Sequence, residues 1–279
     1  MEENGNNEII LSPEKKEKVF EEKSITIDIN SKEGGEIERE ITAAYINNYK
    51  TIKLVGKDIE KKSYYIRTAL KDLSGLEVLE QTKDYIIAKD FINIGDLSLL
   101  HLIRRVDIIA RNMLLDVKDS LHISHYQSLM QRDKDVNRLV FLIYRTCKFF
   151  IANSDYLAKN HQTLSEIIVF WKLSDYLEQF ADETKRISRS LETLTLRKDE
   201  KNELGILFNS VEQCYLNSMK SFYASDRSLA FTVAKDTKKM IDKCRKLGMN
   251  MKEKEGIILI ERFKTMLDKI RAIAQLTYN

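Results

Sequence analysis

The feature that most constrains this chain is the near absence of helix-breaking residues after Leu97. Proline does not occur there, and glycine occurs only at Gly205, Gly248 and Gly256. Proline removes a backbone donor from a helix, and glycine in a helix interior costs about 1 kcal/mol relative to alanine. With so few of either, roughly 180 residues are free to form helices. The sequence therefore predicts that this part of the chain is α-helical.

Apolar residues in this part recur at the spacing of bundle helices. The clearest stripe consists of Leu99, Leu102, Ile103, Val106, Ile109, Ala110, Met113, Leu114, Val117 and Leu121. Steps of three and four residues place these side chains on one helix face, and charged residues occupy the other. Further helices are predicted at residues 124–151, 164–196, 204–223, 226–247 and 251–277, with a polar connection at 152–160 and a charged linker at 197–202.

Six long helices in two sets of three suggest an internal duplication. A three-helix unit with one apolar stripe per helix closes its own core, so it needs no stacked neighbours. The chain is therefore predicted to be mainly α, with two tandem three-helix bundles over residues 97–197 and 198–279.

The beginning of the chain has a different pattern. Residues 1–23 are rich in Glu, Lys and Asn and contain the single proline, Pro13, so we expect a disordered tail. Gly75 stands where the C-terminal cap of a helix belongs. Residues 24–96 predict a small α/β domain of βαβαββ order, with strands at 24–29, 51–55, 76–81 and 85–88 and helices at 36–49 and 59–73.

Charge and composition exclude several classes of protein. The formal net charge is only +3, and Lys and Arg alternate with Asp and Glu, so no nucleic-acid partner is expected. No apolar stretch approaches the roughly 20 residues of a membrane span, and no secretion signal follows Met1. We therefore expect a cytoplasmic protein without membrane insertion. The sequence contains no Gly-rich phosphate loop, nucleophile elbow or zinc-protease pattern, so no enzyme activity is predicted.

Six segments of the sequence carry a family resemblance. They are Ile41–Leu54, Gly75–Glu80, Ile103–Arg105, Ala110–Met113, Arg132–Leu139 and Leu177–Glu183. Together they resemble the PhoU family, in particular its archaeal branch, and the last segment is similar to the family pattern Glu-Arg-x-x-Asp-His. The second predicted bundle is similar only in layout, and Thr265 stands there in place of the corresponding carboxylate. Many archaeal relatives begin with a SpoVT/AbrB-type DNA-binding hairpin, and no segment before Ser24 has that pattern.

The resemblance implies negative regulation of phosphate uptake and phosphate signalling. The expected partner of such an adaptor is the ATPase subunit of a phosphate ABC transporter or a sensor histidine kinase. We also expect a homodimer, because the edges of the small sheet would otherwise invite pairing. Two alternatives remain open. One is a transcriptional or ligand-sensing regulator that binds an effector or dimerises through the α/β domain. The other is catalysis at a carboxylate–metal centre, for which the sequence has too few ligands.

Carboxylates in the first predicted bundle are candidate metal ligands. Glu178 and Asp182 stand one helical turn apart, as do Asp133 and Asn137 on the preceding helix, so each pair projects from one helix face. The PhoU resemblance implies a cation or iron cluster bound by such pairs. Hard oxygen ligands favour Mg, Mn, Ca or Fe over Cu, and Zn is less favoured because no Cys or His is nearby. The identity of the metal stays open.

The second predicted bundle offers Asp236 and Glu261 as weaker candidates. One occupied site is expected rather than two, because the second bundle lacks a carboxylate at its pattern. The alternative for all these residues is a set of solvated carboxylates, balanced in the first bundle by Arg132, Lys185 and Arg186.

Overall fold

The computed structural model describes residues 2–3, 9–10, 22–160, 162–251 and 253–278. Most of the tail predicted at residues 1–23 lies outside these residues, and Glu2–Glu3 (β1) pairs with Ile9–Ile10 (β2) in an antiparallel ladder. The chain divides into two compact units. Unit 1 contains residues 1–97 and 144–167, and unit 2 contains residues 98–143 and 168–279.

Unit 1 contains the predicted α/β domain. Its elements are β3 (Ser24–Asp28), α1 (Gly34–Ile46), β4 (Thr51–Val55), α2 (Ile59–Lys71), β5 (Leu76–Gln81) and β6 (Tyr85–Asp90). The sheet order is β3-β4-β6-β5. β3 and β4 run parallel, joined through α1, whereas β4–β6 and β5–β6 are antiparallel pairs. This arrangement confirms the predicted βαβαββ order.

The core of the α/β domain follows from strand alternation. Ile52 and Leu54 of β4 and Ile86 and Ala88 of β6 are buried, and the residues between them are only half-buried. Full burial of each large aliphatic side chain contributes about 1.5–3 kcal/mol. The two helices add Ile37, Ile41, Ala44, Tyr45, Ile59, Ile66, Ala69 and Leu70 to this core. The cap predicted at Gly75 is wrong, because α2 ends at Lys71 and its C-cap is Asp72. Gly75 instead lies in the turn before β5, where it adopts φ +75°, a conformation that strains other residues.

A buried arginine ties residues 144–167 to the α/β domain within unit 1. Arg145 is completely buried, and its Nη2 donates to a carboxylate oxygen of Asp90, which also accepts from Lys50 Nζ at 2.7 Å. Arg145 Nε donates to Asn48 Oδ1 at 3.1 Å, and the guanidinium lies 4.4 Å from the ring centroid of Tyr45. A buried charge is tolerated only when it is paired and hydrogen-bonded, so these contacts fix the segment in unit 1.

Unit 2 is built from two sets of helices. The first set is α3 (Leu99–Asp119), residues 126–143 of α4 (Tyr126–Ala152) and residues 168–193 of α6 (Leu164–Thr193). The second set is α7 (Lys198–Ala224), α8 (Arg227–Asn250) and α9 (Lys254–Gln275). The end of α4 and the short helix α5 (Ser154–Lys159), which lies within the predicted polar connection, belong to unit 1. In the described part of the chain, no helix is long and apolar enough to cross a bilayer.

The two helix sets share one compact unit. The predicted apolar stripe of α3 is buried apart from the half-buried Ile109. Phe180 of the first set stacks on Tyr215 of the second, with ring centroids 4.3 Å apart. Within the second set, Phe208 and Phe263 meet edge to face at 4.8 Å. The mainly helical fold is therefore confirmed. The domain boundaries at 24–96, 97–197 and 198–279 stay a prediction, and the compact units divide the chain differently.

The charged linker predicted at residues 197–202 is wrong. α7 begins at Lys198, so the helices are separated only by residues 194–197. Two acidic residues in the first turn, Asp199 and Glu200, interact favourably with the helix dipole, and Glu200 accepts a hydrogen bond from the backbone of Arg197 at 2.9 Å. The linker was predicted because the segment is rich in charged residues, but Lys and Glu are good helix formers.

Candidate functional site

The structure brings together three of the predicted ligands around one lysine in unit 2. Asp133 projects from α4, and Glu178, Asp182 and Lys185 project from α6. Residues 178, 182 and 185 share one helix face because they are separated by four and three positions. We call these four residues the α4–α6 cluster. Asn137 follows one turn after Asp133 on α4 and is half-buried.

Lys185 joins the two aspartates of the α4–α6 cluster. Its Nζ lies 2.7 Å from Asp133 Oδ2 and 2.8 Å from Asp182 Oδ1. The side chain of Asp133 is only 9% exposed, and those of Asp182 and Lys185 are 21% and 23% exposed. Burial lowers the pKa of Lys185, but the hydrogen bonds to the two aspartates and their negative charges together raise that pKa by more, so the net shift is upward. The ammonium is therefore held in its charged form.

Glu178 is the carboxylate of the cluster with the least compensation. Burial raises its pKa, and the negative charges of Asp182, Asp133 and Asp175 raise it further, whereas Lys185 lowers it. Among the residues that the structure describes, no ion pair involves Glu178. The cluster consequently carries more negative charge than Lys185 alone balances.

Further ion pairs surround the cluster. Arg186 contacts Asp182 and Glu183, each at 2.7 Å, and Arg262 of α9 lies 3.5 Å from Glu183. The alternative to a metal site was that Arg132, Lys185 and Arg186 balance the charge of the carboxylates. Lys185 and Arg186 do pair with these carboxylates. Arg132 instead pairs with Asp116 at 2.6 Å.

The candidates of the second helix set lie apart from each other. Asp236 on α8 is 3.6 Å from Lys239 of its own helix, and Glu261 on α9 is 2.6 Å from Lys264 of its own helix. Their side chains are 47% and 60% exposed. Burial raises the pKa of Cys244 and the charge of Glu261 raises it further, so Glu261 lies near Cys244 on α8. Asp236 lies eight residues before Cys244, which is about 12 Å away along the helix axis. The structure does not bring these two carboxylates into one site.

The placed residues do not fit a metal ion. Across the described ranges, no three His, Cys, Asp or Glu side chains come together in a way that could hold one. In the α4–α6 cluster, a metal would need both aspartates as ligands, and the ammonium of Lys185 already lies between them. The metal site at Asp133, Asn137, Glu178, Asp182, Asp236 and Glu261 stays a prediction.

A second polar cluster in unit 2 was missed by the sequence reasoning. Asp107 is buried on α3 and accepts hydrogen bonds from Tyr215 at 2.8 Å and Tyr223 at 3.2 Å, and it pairs with Arg111 at 3.0 Å. Burial and the charge of Asp107 raise the pKa of both tyrosines, so they remain protonated donors. This contact could not be predicted because Asp107 and Tyr215 are 108 positions apart in the sequence. The signal for a buried polar cluster was an aspartate on the apolar side of α3. The cluster ties α3 to α7.

Two large apolar side chains are exposed on α3. Ile108 and Leu115 stand seven residues apart, so they lie on the same face two turns apart, and they are 56% and 40% exposed. Arg104 and Arg105 precede Ile108 and are also exposed. Exposed apolar groups beside basic ones are typical of a protein-binding surface. We call Arg105, Ile108 and Leu115 the α3 face.

Comparison with protein-family models matches residues 103–191 to the PhoU domain. The matched segment begins in α3 and ends in α6, so it includes both the α4–α6 cluster and the α3 face. This match confirms the resemblance to the PhoU family, whose proteins are regulators rather than enzymes. No curated protein matches the chain significantly.

Proposed function

From the premise that this chain carries a PhoU domain, we propose that it is a cytoplasmic adaptor that restrains phosphate uptake. In this proposal the helical unit docks on the ATPase subunit of a phosphate ABC transporter, or on a sensor histidine kinase, and lowers transport or its signalling. The single observation that carries the proposal is the match of residues 103–191 to the PhoU domain. Such proteins function in the regulation of phosphate uptake.

The α3 face supports docking through the matched domain. Ile108 and Leu115 lie outside the apolar stripe of α3 and remain exposed, whereas the stripe is buried apart from the half-buried Ile109. Burial of apolar side chains at the centre of an interface supplies most of the affinity, and adjacent arginine contributes hydrogen bonds to a partner carboxylate. We assign the ATPase subunit as the occupant of this face because the face lies within the segment that matches the PhoU domain.

The test is direct binding of the purified chain to the phosphate-transporter ATPase subunit of the same organism. We expect saturable binding, measured by biolayer interferometry, and no binding to an unrelated ABC ATPase. The variant Ile108→Asp with Leu115→Asp should weaken binding by at least about tenfold, because two buried charges cost more than 1.4 kcal/mol. Ile206→Asp is the matched control, since Ile206 is 66% exposed on α7 and lies outside the matched domain.

Two results would contradict this proposal. The first is no binding to the ATPase subunit and none to the sensor kinase under conditions in which the chain is folded. The second is equal binding by the α3 variant and the wild type, which would remove the α3 face from the proposal. A homodimer, which we also propose, is checked on the same samples by sedimentation velocity.

The alternative of ligand sensing through the α/β domain rests on a separate observation. α4 supplies residues 126–143 to unit 2 and residues 144–152 to unit 1, where Arg145 is held by Asp90. An effector that bound unit 1 would therefore bind a unit that itself contains residues 144–167 of the matched PhoU domain. Binding of inorganic phosphate to unit 1, detected by calorimetry and altered by Asp90→Asn, would favour this alternative.

A further inference from the structure

The position of Lys185 raises the question of which cation the α4–α6 cluster holds. The ammonium contacts carboxylates of two different helices, at 2.7 Å from Asp133 and 2.8 Å from Asp182. Metal–oxygen bonds of hard cations are about 2.0–2.6 Å long, so a metal shared by the same two oxygens would lie within the space of the nitrogen. The two occupants exclude each other.

The chain itself holds Lys185 in this position. Lys185 lies three residues after Asp182 on the same face of α6, so its side chain does not cross from another element to reach the aspartate. The second contact, to Asp133 on α4, then fixes the ammonium between the helices. Charge-assisted hydrogen bonds of this length are among the stronger ones in proteins.

The remaining charges also oppose a divalent cation. Arg186 contacts the other oxygen of Asp182 at 2.7 Å, so both oxygens of that carboxylate already have cationic partners. Only Glu178 lies in the cluster without an ion pair among the described residues. A metal entering here would meet two positive side chains and one free carboxylate, which is the reverse of a metal-binding arrangement.

We infer that Lys185 is the built-in cation of the α4–α6 cluster and closes it to the divalent metal that the family resemblance implies. In this chain the lysine does structurally what a metal would do, since it joins α4 to α6 through their carboxylates. The cluster becomes a cation site only when the ammonium is removed. The inference concerns the metal site predicted from the sequence and is independent of the docking partner in the proposed function.

The test is titration of Mn²⁺ into full-length, chelator-treated protein, followed by isothermal calorimetry and by the loss of the free Mn²⁺ spin-resonance signal. We expect no saturable site in the wild type. Lys185→Met keeps the length of the side chain and removes its charge, and this variant should gain one site, at least about tenfold tighter than any wild-type binding. Adding Asp133→Asn to that variant should abolish the gain.

Lys264→Met is the matched control, because Lys264 also pairs with a carboxylate on its own helix but forms no ion pair with a facing helix among the described residues. It should gain no site. If Lys185→Met does not fold, Lys185→Ala is used instead, since alanine is a good helix former and leaves the space between the two aspartates open. Far-ultraviolet circular dichroism establishes that each variant is folded.

Two outcomes would overturn the inference. One is a stoichiometric Mn²⁺ site in the wild type that Asp182→Asn removes, which would mean that Lys185 yields to the metal. The other is a folded Lys185→Met or Lys185→Ala variant that gains no site. Neither result bears on docking to the ATPase subunit, which is measured without added metal, so the two proposals fail separately.

Discussion

The two helix sets of unit 2 carry similar acidic residues in different surroundings. In the first set, Asp133 and Asp182 are largely buried and share Lys185 across two helices. In the second set, Asp236 and Glu261 are about half-exposed, and among the described residues each pairs only with a lysine three residues away on its own helix. The difference shows that a spacing of carboxylates along a helix does not make a site. A site also needs burial and a partner on a facing helix.

The largest expected contrast is in the stability of two lysine variants. Lys185→Met leaves two largely buried aspartates without their shared cation, and we expect it to reduce the free energy of unfolding by about 2 kcal/mol. This value is below that for a fully buried pair because Lys185 keeps some contact with solvent. Lys264→Met should cost less than about 0.5 kcal/mol, as expected for a pair on an exposed helix surface. Urea unfolding measures both, and equal losses would erase the contrast.

A smaller effect is expected in the coupling between partners. A double-mutant cycle with Asp133→Asn and Lys185→Met should give a coupling free energy of about 1 kcal/mol, since the contact is direct and partly buried. The corresponding cycle with Asp236→Asn and Lys239→Met should give about 0.2 kcal/mol, because that pair is exposed and 3.6 Å apart. Coupling of similar size in both cycles would show that burial is not what distinguishes the two sets.

Removal of the charge of Glu178 should stabilise the protein, whereas removal of the charge of Lys185 should destabilise it. Its pKa is raised in the folded state by burial and by nearby carboxylates, so the folded protein binds this proton more tightly than the unfolded chain. Stability should therefore fall as pH rises from the unfolded-state pKa to the folded-state pKa. Glu178→Gln should raise the free energy of unfolding by about 0.5 kcal/mol at pH 7, after allowance for solvent screening.

The gain from Glu178→Gln should disappear below the unfolded-state pKa of glutamate, where both states are protonated. Urea unfolding of the variant and the wild type at several pH values tests this. Glu261→Gln is the control in the second set, and it should show no gain at any pH because Glu261 pairs with Lys264. A destabilised Glu178→Gln variant would mean that the charge of Glu178 is compensated in the folded protein.

The smallest difference is expected in the reactivity of the buried cysteines, because the surroundings of the acidic residues should not affect how the cores are packed. Burial raises the pKa of Cys214 and Cys244 in the second set to about 11, and that of Cys147 in unit 1 to about 12. Since the thiolate is the reactive form, all three should react slowly with a disulfide reagent at pH 8 and quickly after unfolding. Rapid native-state reaction of Cys244 would instead indicate that the second set is loosely packed.

Much of the fold could be predicted because it depends on local pattern. The apolar stripe of α3 indicates its buried face directly, whereas Gly75, the predicted cap of α2, lies four residues beyond the end of that helix at Lys71. The linker prediction at 197–202 was wrong because composition was given more weight than helix propensity. Where a long helix changes partners is not visible in its periodicity, and so the burial of Arg145 in unit 1 was not anticipated.

The candidate site was predictable only in part. The spacing of Glu178 and Asp182 gave their common helix face, but the contact between Lys185 and Asp133 spans 52 positions and depends on how two helices pack. The same holds for Asp107 and Tyr215, which are 108 positions apart. Sequence pattern determines which residues share a face, and tertiary packing determines which charges meet.

Phosphate uptake by living cells tests the central claim most directly. Uptake of radiolabelled phosphate would be compared at high external phosphate in three strains: the parent, a deletion of the gene for this chain, and the deletion complemented by the wild-type gene. An adaptor that restrains transport predicts faster uptake in the deletion strain and a return to the parental rate on complementation. An uptake rate that is the same in all three strains, with the chain expressed in the parent, would contradict the claim.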